Sequence, residues 1–135
     1  MMPTHPHHHA SSSSRPQSPR LSIYRWQTTM IASILHRISG GMLIISMLVS
    51  IYLFSYIISN TENLFITIDW MRSWQGTLFL WLFGITATYH WSNGLRFLLL
   101  DYGIGESRER MKQSANLVLW TIPLSAITLG TWLWL

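Results

Sequence analysis

The amino-acid sequence predicts an all-α membrane protein of three transmembrane helices, N-terminus inside and C-terminus outside, preceded by a flexible arm. Three observations carry that reading. About half of the 135 residues are hydrophobic and only 10% are charged, against roughly 25% charged in an average soluble domain. The charges are clustered and leave three long apolar runs between them, and the basic ones fall mostly on one side of those runs. Nine Lys and Arg with five Asp and Glu are too few to coat a soluble fold of this length, which excludes an ordinary globular enzyme. With no cysteine in the chain, there is no disulfide framework, thiolate zinc or iron–sulfur site, or cysteine nucleophile. Any redox metal must be held by other ligands.

Residues 1–20 form the arm. They hold His5, His7, His8 and His9, four serines from Ser11 to Ser14, and Pro3, Pro6, Pro16 and Pro19, a composition that cannot bury apolar area. The histidines have no structured spacing and read as adventitious. No acidic residue precedes Glu62, which resembles a transit peptide in composition, although the prolines oppose the usual amphipathic helix.

Residues 21–135 form the membrane domain. Helix I, about 28–58, has Ile38–Ile58 as its core, a mostly apolar run long enough to cross the roughly 30 Å hydrocarbon layer. Helix II, about 74–100, is uncharged from Ser73 to Tyr89 but then carries His90 and Arg96 before Asp101. Helix III, about 113–135, has no formal charge and contains Pro123, which a membrane helix tolerates when neighbours satisfy the freed carbonyl. Arg15, Arg20, Arg25 and Arg37 precede or open helix I, and Arg108, Arg110 and Lys112 lie between II and III, whereas the I–II loop has only Arg72 beside Glu62 and Asp69. By the positive-inside rule the N-terminus and the II–III loop are inside.

Ionisable side chains at membrane depth cost about 2–3 kcal/mol or more, so they face a partner, a cofactor or a wet cavity. On helix I, Ser33 stands three and four residues before His36 and Arg37, which places hydroxyl, imidazole and guanidinium on neighbouring surface. Gly40 and Gly41 then allow a flat ligand or a second helix to approach. His36 and Arg37 also lie close enough to the interface to snorkel. His90 lies roughly 16 Å inward from Asp101 at about 1.5 Å per residue, near the midplane, and Arg37 is about 15 Å inward from Gln27 on the same measure. Spacing alone leaves His90 two readings, a haem ligand or an interhelical hydrogen-bonding group. Gly94, one turn on, would leave room for a porphyrin edge. A haem at His90 would bring two propionates, which Arg37 and His36 could meet.

The runs Arg15-Pro16-Gln17-Ser18-Pro19-Arg20-Leu21-Ser22-Ile23-Tyr24, Ser33-Ile34-Leu35-His36-Arg37-Ile38-Ser39-Gly40 and His90-Trp91-Ser92-Asn93-Gly94-Leu95-Arg96, closing in Asp101-Tyr102-Gly103, resemble the cytochrome b subunits of succinate dehydrogenase over roughly residues 15–135. The resemblance implies a larger membrane-anchor subunit. It would pair with a small membrane-anchor subunit and hold an iron–sulfur subunit and a flavoprotein subunit to the lipid bilayer of an energy-transducing inner membrane, mitochondrial or bacterial, with no nucleic-acid partner. It implies His90 as an axial ligand of haem b, the other axial ligand coming from the small subunit. It also implies that Ser33 and Arg37 belong to a ubiquinone site, with His36 and Arg37 near the propionates. Ser33 would hydrogen-bond a quinone carbonyl and Arg37 would stabilise the charge that develops on reduction. Tyr24, Arg25 and Trp26 are expected along the iron–sulfur subunit. Many relatives have histidine where this chain has Phe97 and Arg20, which leaves His90 the one histidine on helix II. The alternative is a cofactor-free structural anchor or assembly scaffold, in which His36 and His90 only bridge helices.

Overall fold

A computed structural model describes residues 27–135; the arm over 1–20 and the stretch Tyr24, Arg25 and Trp26 lie outside the described residues. Four helices and no strand make up the described chain: α1 (Thr28–Ser59), α2 (Thr61–Arg72), α3 (Trp74–Asp101) and α4 (Arg108–Trp134). α1, α3 and α4 are mutually in contact and form a three-helix bundle, and short α2 packs against α1 and α3. By length and composition α1 and α4 are apolar enough to cross a membrane. α3, 28 residues long, falls outside that description because Tyr89, His90, Ser92, Asn93 and Arg96 dilute its C-terminal half.

The distribution of side chains is inverted relative to a soluble bundle. Its buried apolar residues are Ala32, Tyr89, Ala115 and Val118, and Ser39, Thr67, Asn93, Arg96 and Ser125 are buried with them. The large apolar side chains, among them Ile45, Tyr52, Phe54, Trp91, Leu117 and Trp132, point outward. Hydroxyls on the outer faces are satisfied without water by bonding back to the carbonyl four residues earlier. Ser46 donates to Met42 O at 2.9 Å, Ser50 to Ser46 O at 2.8 Å, Thr88 to Gly84 O at 2.8 Å and Thr128 to Leu124 O at 2.9 Å.

Close packing of α3 on α4 depends on small residues and one long reach. Trp81 Nε1 donates to Ala126 O at 2.8 Å, just beyond Pro123, and a Cβ on Gly84 would come within 2.6 Å of Leu129 Cδ1. Such glycine contacts let membrane helices approach where no hydrophobic force drives them together.

Two boundaries differ from the sequence expectation. The I–II connection, expected as a loop, is the 12-residue helix α2. Asn60 caps it by accepting from the backbone N–H of Glu62 at 3.1 Å, Glu62 sits in its first turn and Arg72 in its last, both favourable to the helix dipole. The last helix begins at Arg108 rather than near residue 113, because Ser107 accepts from Arg110 N and Glu109 lies in the first turn. In both cases capping, rather than the limit of the apolar run, decides where the helix starts.

Candidate functional site

The site lies where α1 crosses the C-terminal half of α3. His36 and His90 stack face to face, centroids 4.1 Å apart and planes 8° from parallel. Each ring packs beside a glycine of the opposite helix. A Cβ on Gly40 would approach His90 Cε1 to 3.2 Å, tighter than ordinary contact, and one on Gly94 would stand 3.8 Å from His36 Cε1. Gly94 thus faces His36. Phe97, which stands where the resemblance expects histidine in many relatives, packs edge-on against His36 with ring centroids 5.3 Å apart.

Polar atoms around this pair divide into satisfied and unsatisfied. Ser39 Oγ lies 3.0 Å from His90 Nδ1 and donates its own proton to His36 O at 2.8 Å. His36 Nδ1 is buried and has no hydrogen-bond partner among the described residues, a costly state for a ring nitrogen unless something outside them meets it. Among the described residues no group of three or more His, Asp or Glu is placed to hold a bare metal ion. Haem iron asks less, because the porphyrin supplies the equatorial ligands and the protein the axial ones. A histidine bonds iron in its ring plane, so the face-to-face stack leaves the Nε2 edge of His90 a possible ligand. The orphaned His36 nitrogen suits an anionic carboxylate such as a propionate. The donor set fits a haem.

Ser33 is half-buried and Arg37 exposed. His36 turns inward onto α3, while Arg37, one residue on and about 100° round the helix, stays on a face that α3 and α4 do not cover. Ser33, four residues earlier, is one turn away on the same side of the helix but is half-buried.

Beside the histidines is a network that the sequence reading did not assign. Tyr89 Oη donates to Ala32 O at 2.8 Å, and Asn93 Nδ2 donates to the same carbonyl at 3.0 Å. Arg96 Nη1 reaches Asn93 Oδ1 at 3.5 Å, its Nε donates to Ser114 Oγ at 3.0 Å and its Nη2 to Met111 O at 3.3 Å. Asn93 is 0% and Arg96 6% exposed. The spacing of Tyr89, Asn93 and Arg96, each three or four residues from the next, places them on one face, which was visible in the sequence. Their acceptors on α1 and α4 were not. The network ties all three long helices together next to Ser33.

Residues 11–129 match the family described as succinate dehydrogenase/fumarate reductase transmembrane subunit. The chain is similar to the succinate dehydrogenase cytochrome b556 subunit of Paracoccus denitrificans, 35% identical over 118 residues that cover 85% of this chain and 89% of that protein. It is 33% identical to the cytochrome b556 subunit of Rickettsia typhi, covering 89% and 90% of the two chains. To the mitochondrial succinate dehydrogenase cytochrome b560 subunit of Sus scrofa it is 33% identical, covering 87% of this chain and 71% of the other.

Proposed function

The chain belongs to the family of succinate dehydrogenase/fumarate reductase transmembrane subunits, and on that premise we propose that it is the cytochrome b membrane anchor of a succinate:ubiquinone oxidoreductase. In this reading α1, α3 and α4 are three spans. α3 qualifies despite its polar residues because Tyr89, Asn93 and Arg96 are turned into the bundle while Leu82, Phe83, Trp91, Leu95 and Leu98 face outward. The basic residues Arg108, Arg110 and Lys112 then put the α3–α4 turn on the inner side. There the flavoprotein and iron–sulfur subunits dock.

The observation that carries the reading is the stacked His36–His90 pair, with the buried His36 Nδ1 short of a partner. His90 would hold haem b through Nε2, together with a ligand from the small anchor subunit. His36 and Arg37 meet the propionates. When bound, the haem supplies a one-electron centre inside the bilayer. The buried imidazole nitrogen calls for a group from outside the described residues, and a haem propionate is the one this reading supplies.

The quinone site is the side of α1 that carries half-buried Ser33 and exposed Arg37. Ser33 donates a hydrogen bond to one quinone carbonyl, and Arg37 stabilises the negative charge that develops on the oxygen as electrons arrive from the iron–sulfur subunit. Their position at the inner end of α1 allows protons to be taken up from that side.

Spectroscopy of the affinity-purified complex tests the assignment. The wild-type complex is expected to show a low-spin b-type spectrum, and His90→Leu to abolish or alter it, since α3 offers no other imidazole. A wild-type complex without haem absorption, or an unchanged spectrum in His90→Leu, would remove His90 from the iron.

A further inference from the structure

Ser39 sits between the two histidines with a single proton to give. That proton is committed to His36 O, 2.8 Å away and three residues back along α1. The same oxygen lies 3.0 Å from His90 Nδ1, so only its lone pairs face the ring. With its proton given to the nearer acceptor, the hydroxyl meets the ring as an acceptor, the assignment in which Nδ1 of His90 carries the hydrogen and Nε2 keeps a free lone pair. Ser39 is itself buried, and no solvent competes for the bond. Gly40 also packs against the ring, where a Cβ would stand 3.2 Å from His90 Cε1, tighter than ordinary contact, and His36 covers one face of the ring.

We propose that Ser39 is a positioning residue for the haem-binding histidine: by accepting the Nδ1–H of His90 it fixes the ring's tautomer and orientation so that Nε2 is presented to iron. The inference rests on the assignment of His90 as ligand and gives a role to a serine that the Ser33–Gly40 run contains but that the sequence reading left without one. Ligating histidines commonly donate their second N–H to such a partner, and removing it disturbs both ring placement and ligand basicity. The serine acceptor is neutral, so it strengthens His90 as a donor less than a carboxylate would. Loss of that acceptor makes the imidazole a poorer donor to iron. Because the ferric state depends more on that donation, the midpoint potential rises.

The test compares Ser39→Ala, Ser39→Cys and Ser39→Thr in the intact four-subunit complex. Haem-to-protein ratio, low-spin electron paramagnetic resonance signals and the haem midpoint potential are the readouts. Ser39→Ala is expected to raise the potential, broaden or shift the low-spin signals and lower haem retention on dilution in detergent. Ser39→Cys keeps the volume but weakens the acceptor, and should move the potential in the same direction by a smaller amount even if the alanine variant assembles poorly. Ser39→Thr restores the acceptor and should restore the wild-type values. Unchanged potential and resonance signals in both Ser39→Ala and Ser39→Cys, with haem still bound, would overturn the role of Ser39 while leaving His90 as ligand. Haem that survives His90→Leu unchanged would instead overturn the assignment beneath it.

Discussion

Ser33 and Arg37, the proposed quinone-site residues, sit one helical turn apart on α1, the serine half-buried and the arginine exposed, whereas His36 between them is turned inward onto α3. A quinone accepts hydrogen bonds and gives none until reduced, so a hydroxyl and a guanidinium aimed at its oxygens bind the developing charge more tightly than the ground state. Removing one donor from such a preorganised site costs about 2.7–4 kcal/mol, or roughly 10²–10³ in rate. Ser33→Ala and Arg37→Leu are therefore expected to depress succinate-dependent quinone reduction sharply. Succinate oxidation with an artificial dye should stay nearly intact, because in the proposed complex the flavin is in another chain. The ratio of the two activities is the measurement; equal loss of both would indicate failed assembly, and full quinone activity would exclude both residues. Arg96 calls for a different expectation. It is held by neutral acceptors in three directions, Asn93, Ser114 and the Met111 carbonyl, and its carbon centre lies 5.4 Å from the Phe97 ring. Arg96→Lys keeps the charge and loses the planar fork that serves these partners together. At the value of hydrogen bonds to charged groups, about 1.5–3 kcal/mol, the substitution should lower the complex's thermal midpoint while leaving its haem spectrum b-type. The residue types and helical spacing of Ser33, His36, Arg37 and His90 were legible in the sequence. The Ser39–His90 bond was not, because it joins positions 51 residues apart and a serine three residues past a histidine carries no signal of what crosses it.

Glycines at the two crossings make an element-scale comparison. The Cβ of an alanine at Gly84 would meet Leu129 Cδ1, the free end of a flexible side chain, whereas at Gly40 it would meet the His90 ring. Leu129 can rotate away, but His90 is held by Ser39, by stacking on His36 and, in the proposed holo state, by iron. Gly40→Ala is thus expected to displace α1 from α3 at the usual overpacking cost of about 1–3 kcal/mol and to lower haem occupancy. Gly84→Ala should leave haem content at the wild-type level. Equal haem content in the two variants would show that the His36–His90 crossing tolerates separation. The same scale explains which elements could be read from sequence. Long apolar runs announce α1 and α4, because a bilayer demands many consecutive apolar residues. α2 lacks such a run, and its signals, Asn60 as cap, Glu62 in the first turn and Arg72 in the last, are local ones that a reading guided by charge-free runs passes over. α3 combines both kinds of information: its apolar half reads as a span, but only packing against α1 and α4 tells which way Tyr89, Asn93 and Arg96 face.

Across the whole molecule, the buried interior is small and partly polar while the outer surface is rich in large apolar side chains. A bundle of this kind has little hydrophobic drive to close in lipid and relies on close contact, on Trp81 bonded to Ala126 O, and on the Tyr89–Asn93–Arg96 network. These contacts hold α1, α3 and α4 together but leave the proposed cofactor site half built. In the proposed assignment His90 would supply one ligand to a haem that needs a second from elsewhere, the buried His36 nitrogen has no partner among the described residues, and Arg37 on α1 stays exposed. Folding free energy that would come from haem and from neighbouring subunits is absent from the single chain, since ligands that bind only the native state stabilise it by mass action. The chain expressed alone in membranes is therefore expected to lose its fold at lower temperature than within the complex. In mild detergent it should exchange or aggregate rather than remain a single species. Co-expression with the small anchor subunit alone should recover much of the difference if that subunit completes the haem ligation, and His90→Leu should cancel that recovery. A solitary chain as heat-resistant as the complex and monodisperse without haem would contradict this, and would favour a self-sufficient anchor whose histidines serve only to join α1 to α3.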